Sequence, residues 1–325
     1  MRTFVLGVAV SAALCAPGVA QAASPQAWPE RAVRLVVPYP PGGNVDGAAR
    51  IVANKLQEKF GQPFVIENKA GAGGLIAGEY IAKSPPDGYT LFVGANGPIL
   101  FAPTIAGRDA YQWQRDFAPV GTISLTPIVL QVNPSLPVKT LAEFFDLARR
   151  EPGKLNMASP GPGTANHLLS ELVQATANVS WTTVHYKGNA PATADLIAGH
   201  VQFNFDQISV ALPFIKDGRT RALAVTGTER AHWIPDVPTF AELGYKTITG
   251  ETFTALMAPA GTSAEIIARL NAALAEILRD PDVIAKFDLI GARAVAMSPE
   301  DLRRYLASED ATWMPIVRKA NIKAE

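Results

Sequence analysis

Three short loops carry the chemistry open to this chain. Gly42-Gly43-Asn44-Val45-Asp46, Gly71-Ala72-Gly73-Gly74 and Ser159-Pro160-Gly161-Pro162-Gly163-Thr164 each separate an apolar run from a segment of helical period. The first N–H groups of a helix lack intrahelical partners and carry partial positive charge, so they attract an anion. Glycine lets that anion come close to the backbone. Taken singly, each loop reads more simply as a turn, with Asp46 or Thr164 as an ordinary helix cap. Three such loops in one chain favour an anion site in a cleft. None of them contains Arg or Lys, although Lys69 is nearby. An anion held by neutral dipoles and water, with no guanidinium fork, is a small carboxylate rather than a phosphate ester.

Catalytic patterns are missing. The four histidines, His167, His185, His200 and His232, form no HExxH, and Ser159 follows Met157-Ala158 instead of the GxSxG arrangement. The Gly71–Gly74 loop opens like a dinucleotide fingerprint, but Ile76 stands at its sixth position and Leu91 to Ala95 offers no acid. Lys154 precedes Leu155, so there is no phosphate-binding P-loop. The one cysteine, Cys15, lies in a leader, which excludes a disulfide framework, a CxxC pair and a cysteine-held metal from the mature chain. No metal or cofactor is expected. A dispersed serine-histidine-acid set stays open, and with it a secreted α/β hydrolase acting on a carboxylate as a rival reading.

His167 reads as a helix residue that supports the third loop from behind; His185 and His200 read as strand or turn residues. Asp206, in Phe203-Asn204-Phe205-Asp206-Gln207, follows a strand and should approach the cleft. An acid beside an anion is unfavourable. Asp206 therefore satisfies local backbone, accepts from a bridging water or ligand hydroxyl, or pairs with a ligand ammonium. The first role ranks highest, because short Asp side chains after strands so often do this.

Elements that could hold these loops follow from the periodicity. Val33 to Val37, Phe64 to Ile66 and Thr90 to Val93 read as strands, with helices from Ala48 to Phe60 and Leu75 to Lys83 between them. Val120 to Val132 is β-rich and long enough to cross between domains. Beyond it, helices at 141–150, 164–177 and 195–198 alternate with strands at 155–158, 184–186, 201–205 and 222–226. A strand at 252–257 and helices at 263–279 and 299–319 complete the chain. Alternation of this kind implies parallel βαβ units. Two α/β lobes with two strands passing between them fit best.

Composition bounds the rest. The 325 residues suffice for roughly two domains. With 48% apolar and 18% charged residues the chain is globular. It has 29 basic and 29 acidic residues and no Lys/Arg run, which argues against a nucleic-acid partner. Arg2, the apolar run Phe4 to Leu14 and then Ala20-Gln21-Ala22 read as a secretory signal over 1–22. That run is too short to span a bilayer, and Leu14 before Cys15 does not suit a lipobox. Export without an anchor or disulfides suggests a bacterial periplasm.

The ordered set of motifs resembles the tripartite tricarboxylate transporter receptors, or Bug proteins. Pro38-Tyr39-Pro40-Pro41-Gly42-Gly43 with Asp46 and Arg50 is similar to the first family signature. Glu67-Asn68-Lys69 with Gly71–Gly74, then Pro86-Asp87-Gly88-Tyr89-Thr90, resemble the second and third. Gly161-Pro162-Gly163-Thr164 with His167-Leu168, Tyr186-Lys187-Gly188 with Pro191, and Leu223–Thr226 with Arg230 and Pro235–Thr239 resemble the remainder. The resemblance implies an α/β, two-lobe periplasmic binding protein of type II fold. Its first lobe would comprise 23–123 and 229–325, its second 124–228. It implies a non-enzymatic monomer that captures a small carboxylate and delivers it to membrane transporter subunits; a ligand-sensing partner of a membrane signalling protein is the alternative. The implied ligand contacts are Tyr39, Gly43 and Asp46 in the first lobe, Ala95 and Asn96 after the third strand, and Ser159, Gly163, Thr164 and Asp206 in the second lobe. Thr164 stands where the family commonly has Ser and keeps the hydroxyl.

Overall fold

In the computed structural model, residues 28–319 and residue 322 are described; the expected leader at 1–22 lies outside them. β1 (Val33–Val37), β2 (Phe64–Asn68) and β3 (Thr90–Ala95) lie parallel in the order β2-β1-β3. Their crossovers are α1 (Asn44–Phe60) and α2 (Leu75–Ala82). Apart from Arg34, β1 is apolar on both faces because a helix covers each. Val33, Leu35 and Val37 pack with Ala48, Val52 and Leu56 of α1, and Val36 packs with Leu75 and Ile81 of α2. A turn of π-helix, Gly97–Phe101, and two short helices lead from β3 to β4 (Phe117–Val132).

The chain then forms α3 (Leu141–Arg150), β5 (Asn156–Ser159), α4 (Ala165–Ala177), β6 (Thr182–His185), α5 (Asn189–Ala198), β7 (Phe203–Gln207), α6 (Ile208–Lys216) and β8 (Arg221–Val225). It returns through β9 (Glu251–Pro259), α7 (Ala264–Ile277), α8 (Pro281–Leu289), β10 (Arg293–Ala294) and α9 (Pro299–Lys319).

β4 joins the two halves. Phe117 to Pro127 pairs antiparallel with β9, which itself pairs with β3. Ile128 to Val132 pairs instead with β7 and β8. The same sixteen-residue strand thus belongs to a first lobe built on β1–β3 and β9 and to a second built on β5–β8. The return is an irregular segment between β8 and β9. Its residues 231–240, beyond the expected boundary at 228, stay with the second lobe. Phe240 donates its N–H to Val225 O, and Ala231 and Ile234 pack on Val129 and Ile208.

Two helices lie where the spacing shows none. α6 follows β7 without a break and carries Pro213 inside it, a residue that ordinarily ends a helix, so the short stripe of Ile208, Ala211 and Leu212 is not read as one. α8 starts at an Asp280 cap with Pro281 in its first turn, a local start signal on a short helix. α5 begins at Asn189, six residues before the expected helix, because Pro191 is compatible with a first turn. Asp46 is not the cap of α1: Gly43 holds that place, and Asp46 lies within the first turn.

A candidate carboxylate cleft between the lobes

In the first lobe, the chain leaving β1 is braced from below. Asp46 is 3% exposed. It accepts from Gly42 N–H at 3.0 Å, Asn68 Nδ2 at 2.9 Å and the Arg50 guanidinium at 2.9 and 3.0 Å. Burial works to raise its pKa, but the hydrogen bonds from Arg50, Asn68 and Gly42 together hold it below the ordinary carboxylate value. The other Asn68 N–H bonds Tyr39 O and fixes the turn that presents the Tyr39 ring.

Asn44, the first residue of α1, faces the second lobe. Its Oδ1 accepts from Thr126 Oγ1 at 3.1 Å and from Ser209 Oγ of α6 at 2.6 Å. Its Nδ2 is buried and has no partner. A buried amide donor left unpaired costs about 1–3 kcal/mol, so it marks a place for an acceptor.

In the second lobe, neutral side chains hold the loop. Gly161 N–H donates to Ser159 Oγ at 3.2 Å, Thr164 Oγ1 donates to Gly161 O at 2.8 Å, and Gly163 N–H donates to His167 Nδ1 at 3.2 Å. Thr164 also caps α4 through His167 N–H. Burial, together with His185 beside it, lowers the His167 pKa to about 4, so the ring is a neutral acceptor. His167 supports the loop from behind, as the sequence suggests.

Behind this loop runs a chain of amides. Asp206 is 1% exposed. It accepts from Asn189 Nδ2 at 2.5 Å, Thr193 Oγ1 at 2.9 Å, Gln207 N–H at 2.9 Å and Asn204 Nδ2 at 3.3 Å. Burial pushes its pKa up to about 6, against the pull of these four donors. Gln207 bonds Asn166 and Asn189, and its Nε2 reaches Thr252 Oγ1 of β9 at 2.8 Å. Asp206 therefore has the hydrogen bonds of the structural role ranked first.

A cavity of about 20 Å³ lies where these groups meet, room for one water-sized group. Tyr39, Ala95, Asn96 and Thr164 of the expected residues line it. Gly43, Asp46, Ser159, Gly163 and Asp206 do not line it; they shape or brace what does. Asn44, Asn166, Asn189, Gln207 and Thr252 also line it, and sequence reasoning missed them. One signal was legible: polar Asn204, Asp206 and Gln207 interrupt an aromatic strand. No Lys or Arg is among the lining residues. Asn96 Oδ1 accepts from Phe253 N–H, and its Nδ2 bonds Glu309 of α9, whose pKa burial raises to about 7.

Glycines form the seam between the lobes. A Cβ on Gly97 would lie 2.6 Å from Gly163 O, and one on Gly73 would lie 2.6 Å from Pro162 O. A Cβ on Gly43 would meet Asn189 Oδ1 at 3.1 Å. Backbone approaches backbone across the cleft, which only glycine allows. The lobes are closed on each other, and direct polar contacts between them run from Ser209 to Asn44, from Gln207 to Thr252 and, at the edge, from His232 and Trp233 to Asp288 of α8.

The fold as a whole has relatives among known proteins. The family model described as "Tripartite tricarboxylate transporter family receptor" matches residues 48–322. Protein BugT of Bordetella pertussis is 35% identical over 320 residues, covering 98% of this chain and 97% of BugT. Rpa4515 of R. palustris, solved with adipate, is 36% identical with a TM-score of 0.86, covering 91% of this chain and 99% of that one. MatC of Rhodopseudomonas palustris, solved with bound malate, is 33% identical with a TM-score of 0.85, covering 89% and 100%.

Proposed function

Because the chain belongs to the tripartite tricarboxylate transporter receptor family, we propose that it is a periplasmic receptor that captures a small carboxylate between its lobes and hands it to a membrane transporter. Members of this family are solute-binding receptors, not enzymes, and the fold is that of periplasmic binding proteins. The signal segment 1–22 would direct export, and the receptor would act as a monomer.

The observation that carries this reading is the unpartnered Asn44 Nδ2 beside the N-terminus of α4 in a cavity between two lobes. A carboxylate oxygen satisfies that donor and meets the positive end of α4 with no cation needed. Adipate and malate in the two R. palustris relatives support a carboxylate ligand. Tyr39, Asn96 and Thr164 would touch the ligand or its bridging water; Gly43 and Gly163 would let the lobes close over it. Asp46, Ser159 and Asp206 would hold the contacting loops in shape.

Binding closes an equilibrium between open and closed lobes, and the ligand favours the closed form by the contacts it makes only there. A thermal-shift screen of carboxylates tests the reading. A true ligand at 100 times its Kd should stabilise the fold by about 2.7 kcal/mol and be recovered unchanged. Asn44→Asp keeps the acceptor for Thr126 and Ser209 but puts negative charge at the site. It should abolish that shift, and an unaltered shift would remove Asn44 from the site.

A further inference from the structure

The central cavity would take a negative charge, yet no Lys, Arg or His is among its lining residues. Tyr39 is the one titratable group among them, and burial raises its pKa, so the phenol stays neutral. Two acids stand directly behind the walls, one on each side. Buried Asp206 is one amide side chain away, through Asn189, and half-buried Glu309 of α9 is one away through Asn96. Neither acid has a basic side chain within ion-pair distance among the described residues.

The groups packed on Asp206 are neutral: Asn189 and Thr193 of α5, Asn204 and Gln207 of β7. Glu309 meets the Trp313 indole N–H and the Tyr305 phenol of its own helix, and Glu251 of β9, which is paired with Arg293 of β10. Burial raises the pKa of both acids, to about 6 for Asp206 and about 7 for Glu309, where the Glu251 charge adds to the effect. A ligand carboxylate in the cavity is a further like charge and raises them more. Thr193 can accommodate the proton at Asp206. Its hydroxyl now donates to Asp206 Oδ2 at 2.9 Å; turned toward the Asn189 carbonyl one helical turn back, it accepts from the Asp206 O–H instead.

We propose that the receptor captures its carboxylate together with a proton, held on Asp206 and Glu309, so that protonated walls stand where other anion sites place Arg or Lys. This rests on the receptor reading above and adds a second, cationic ligand to it. Coupling is reciprocal: protonation of either acid raises the affinity for the carboxylate as much as the carboxylate raises the affinity for the proton. Affinity is therefore highest near pH 6 and falls toward pH 8, a window above the one in which His167 titrates.

Calorimetry with adipate and malate in PIPES and in imidazole at pH 7 tests it, because the buffers differ in ionisation enthalpy and the difference in heat counts the protons taken up. About half a proton per ligand should be taken up, and Kd should rise about three- to tenfold from pH 6 to pH 8. Glu309→Gln keeps an acceptor for Asn96 and removes the charge. At pH 8 it should bind about threefold tighter than wild type, a gain that loss of a merely structural contact would not give. The uptake left in Glu309→Gln at pH 6 should vanish when Asp206→Asn is added. Weaker binding by Glu309→Gln at pH 8, or uptake that survives in the folded double variant, would overturn the assignment to these acids. Binding without proton uptake, at a Kd constant from pH 6 to 8, would overturn the proposal and leave the receptor reading intact. Failure of both probes at either pH would overturn the proposal, and failure of the whole carboxylate screen would overturn the receptor reading with it.

Discussion

The loops at 38–46 and 159–164 occupy matching places, each between a strand end and a helix start, yet they are stiffened by opposite means. The first is tied by a charge: Asp46, paired with Arg50, gathers Gly42 N–H and Asn68. The second is tied by neutral groups: Ser159, Thr164 and the unprotonated ring of His167. An ion pair at the edge tolerates acid down to the low pKa of its carboxylate. A buried imidazole acceptor does not. The two halves of one cleft should therefore fail at different pH.

The largest effect expected is this loss in acid. The folded pKa of His167 is depressed, so the stability it contributes is full above its unfolded value near 6.5 and is lost as pH falls toward about 4. The loss approaches about 3 kcal/mol. Urea melts from pH 7 to 4 should show it, and His167→Gln should flatten it. Amide exchange at Gly163 should quicken at pH 5 while that at Gly42 stays protected, since Asp46 titrates below the ordinary carboxylate value. Equal quickening at both amides would break the comparison.

Asp206→Asn and Gly97→Ala come next. At pH 5 Asp206 is mostly a protonated carboxyl with one O–H, and the N–H₂ introduced by Asp206→Asn would add a further donor among the four that already converge there, costing about 2 kcal/mol in the ligand-free protein. The Asp206 pKa is raised, so its own contribution has the opposite sign to that of His167. It is fully present below the unfolded value near 3.8 and is lost as pH rises through about 6. The wild-type advantage over Asp206→Asn should accordingly shrink between pH 5 and 7, and a constant gap would show that the carboxyl does not titrate there. Gly97→Ala suits its helical backbone but meets Gly163 O across the seam. It should leave Tm nearly unchanged and weaken ligand binding roughly thirtyfold, about 2 kcal/mol of overpacking on closure.

Asp46→Asn should cost about 1–2 kcal/mol: the ion pair with half-exposed Arg50 is screened and adds little, but either orientation of the amide turns an N–H₂ toward donors at a buried site; a loss well below about 1 kcal/mol in a thermal melt would mean the first loop does not depend on this carboxylate. The smallest effect belongs to Gly43→Ala. Its φ of −91° suits any residue, and the new methyl meets only the movable Asn189 side chain at 3.1 Å. Binding measured by calorimetry should weaken no more than about threefold, ~0.6 kcal/mol. A loss as large as that of Gly97→Ala would make the two sides of the seam equivalent.

Much of this molecule is local and was therefore legible in the sequence. Apolar runs of strand length, helical spacing and glycine turns write β1, α1, β4 and α9 directly, since each is decided by neighbours within a few residues. The three glycine loops announce themselves for the same reason: a strand that ends in glycines before a helix must expose N–H groups. What the sequence alone could not assign is where side chains spend their hydrogen bonds. Asp46 reads as a cap or a ligand contact, yet Asn68, 22 residues away, and Arg50 claim its carboxylate. The central glycines read as places for an anion to approach, and the fold uses them to let one lobe's backbone approach the other's. Asn44, Asn189, Gln207 and Thr252 come from four distant segments, and only the switch of β4 from one sheet partner to another brings them to one cavity. Local pattern fixes which elements form; contact across the cleft, made between residues far apart in the chain, decides which polar atoms are left free for a ligand.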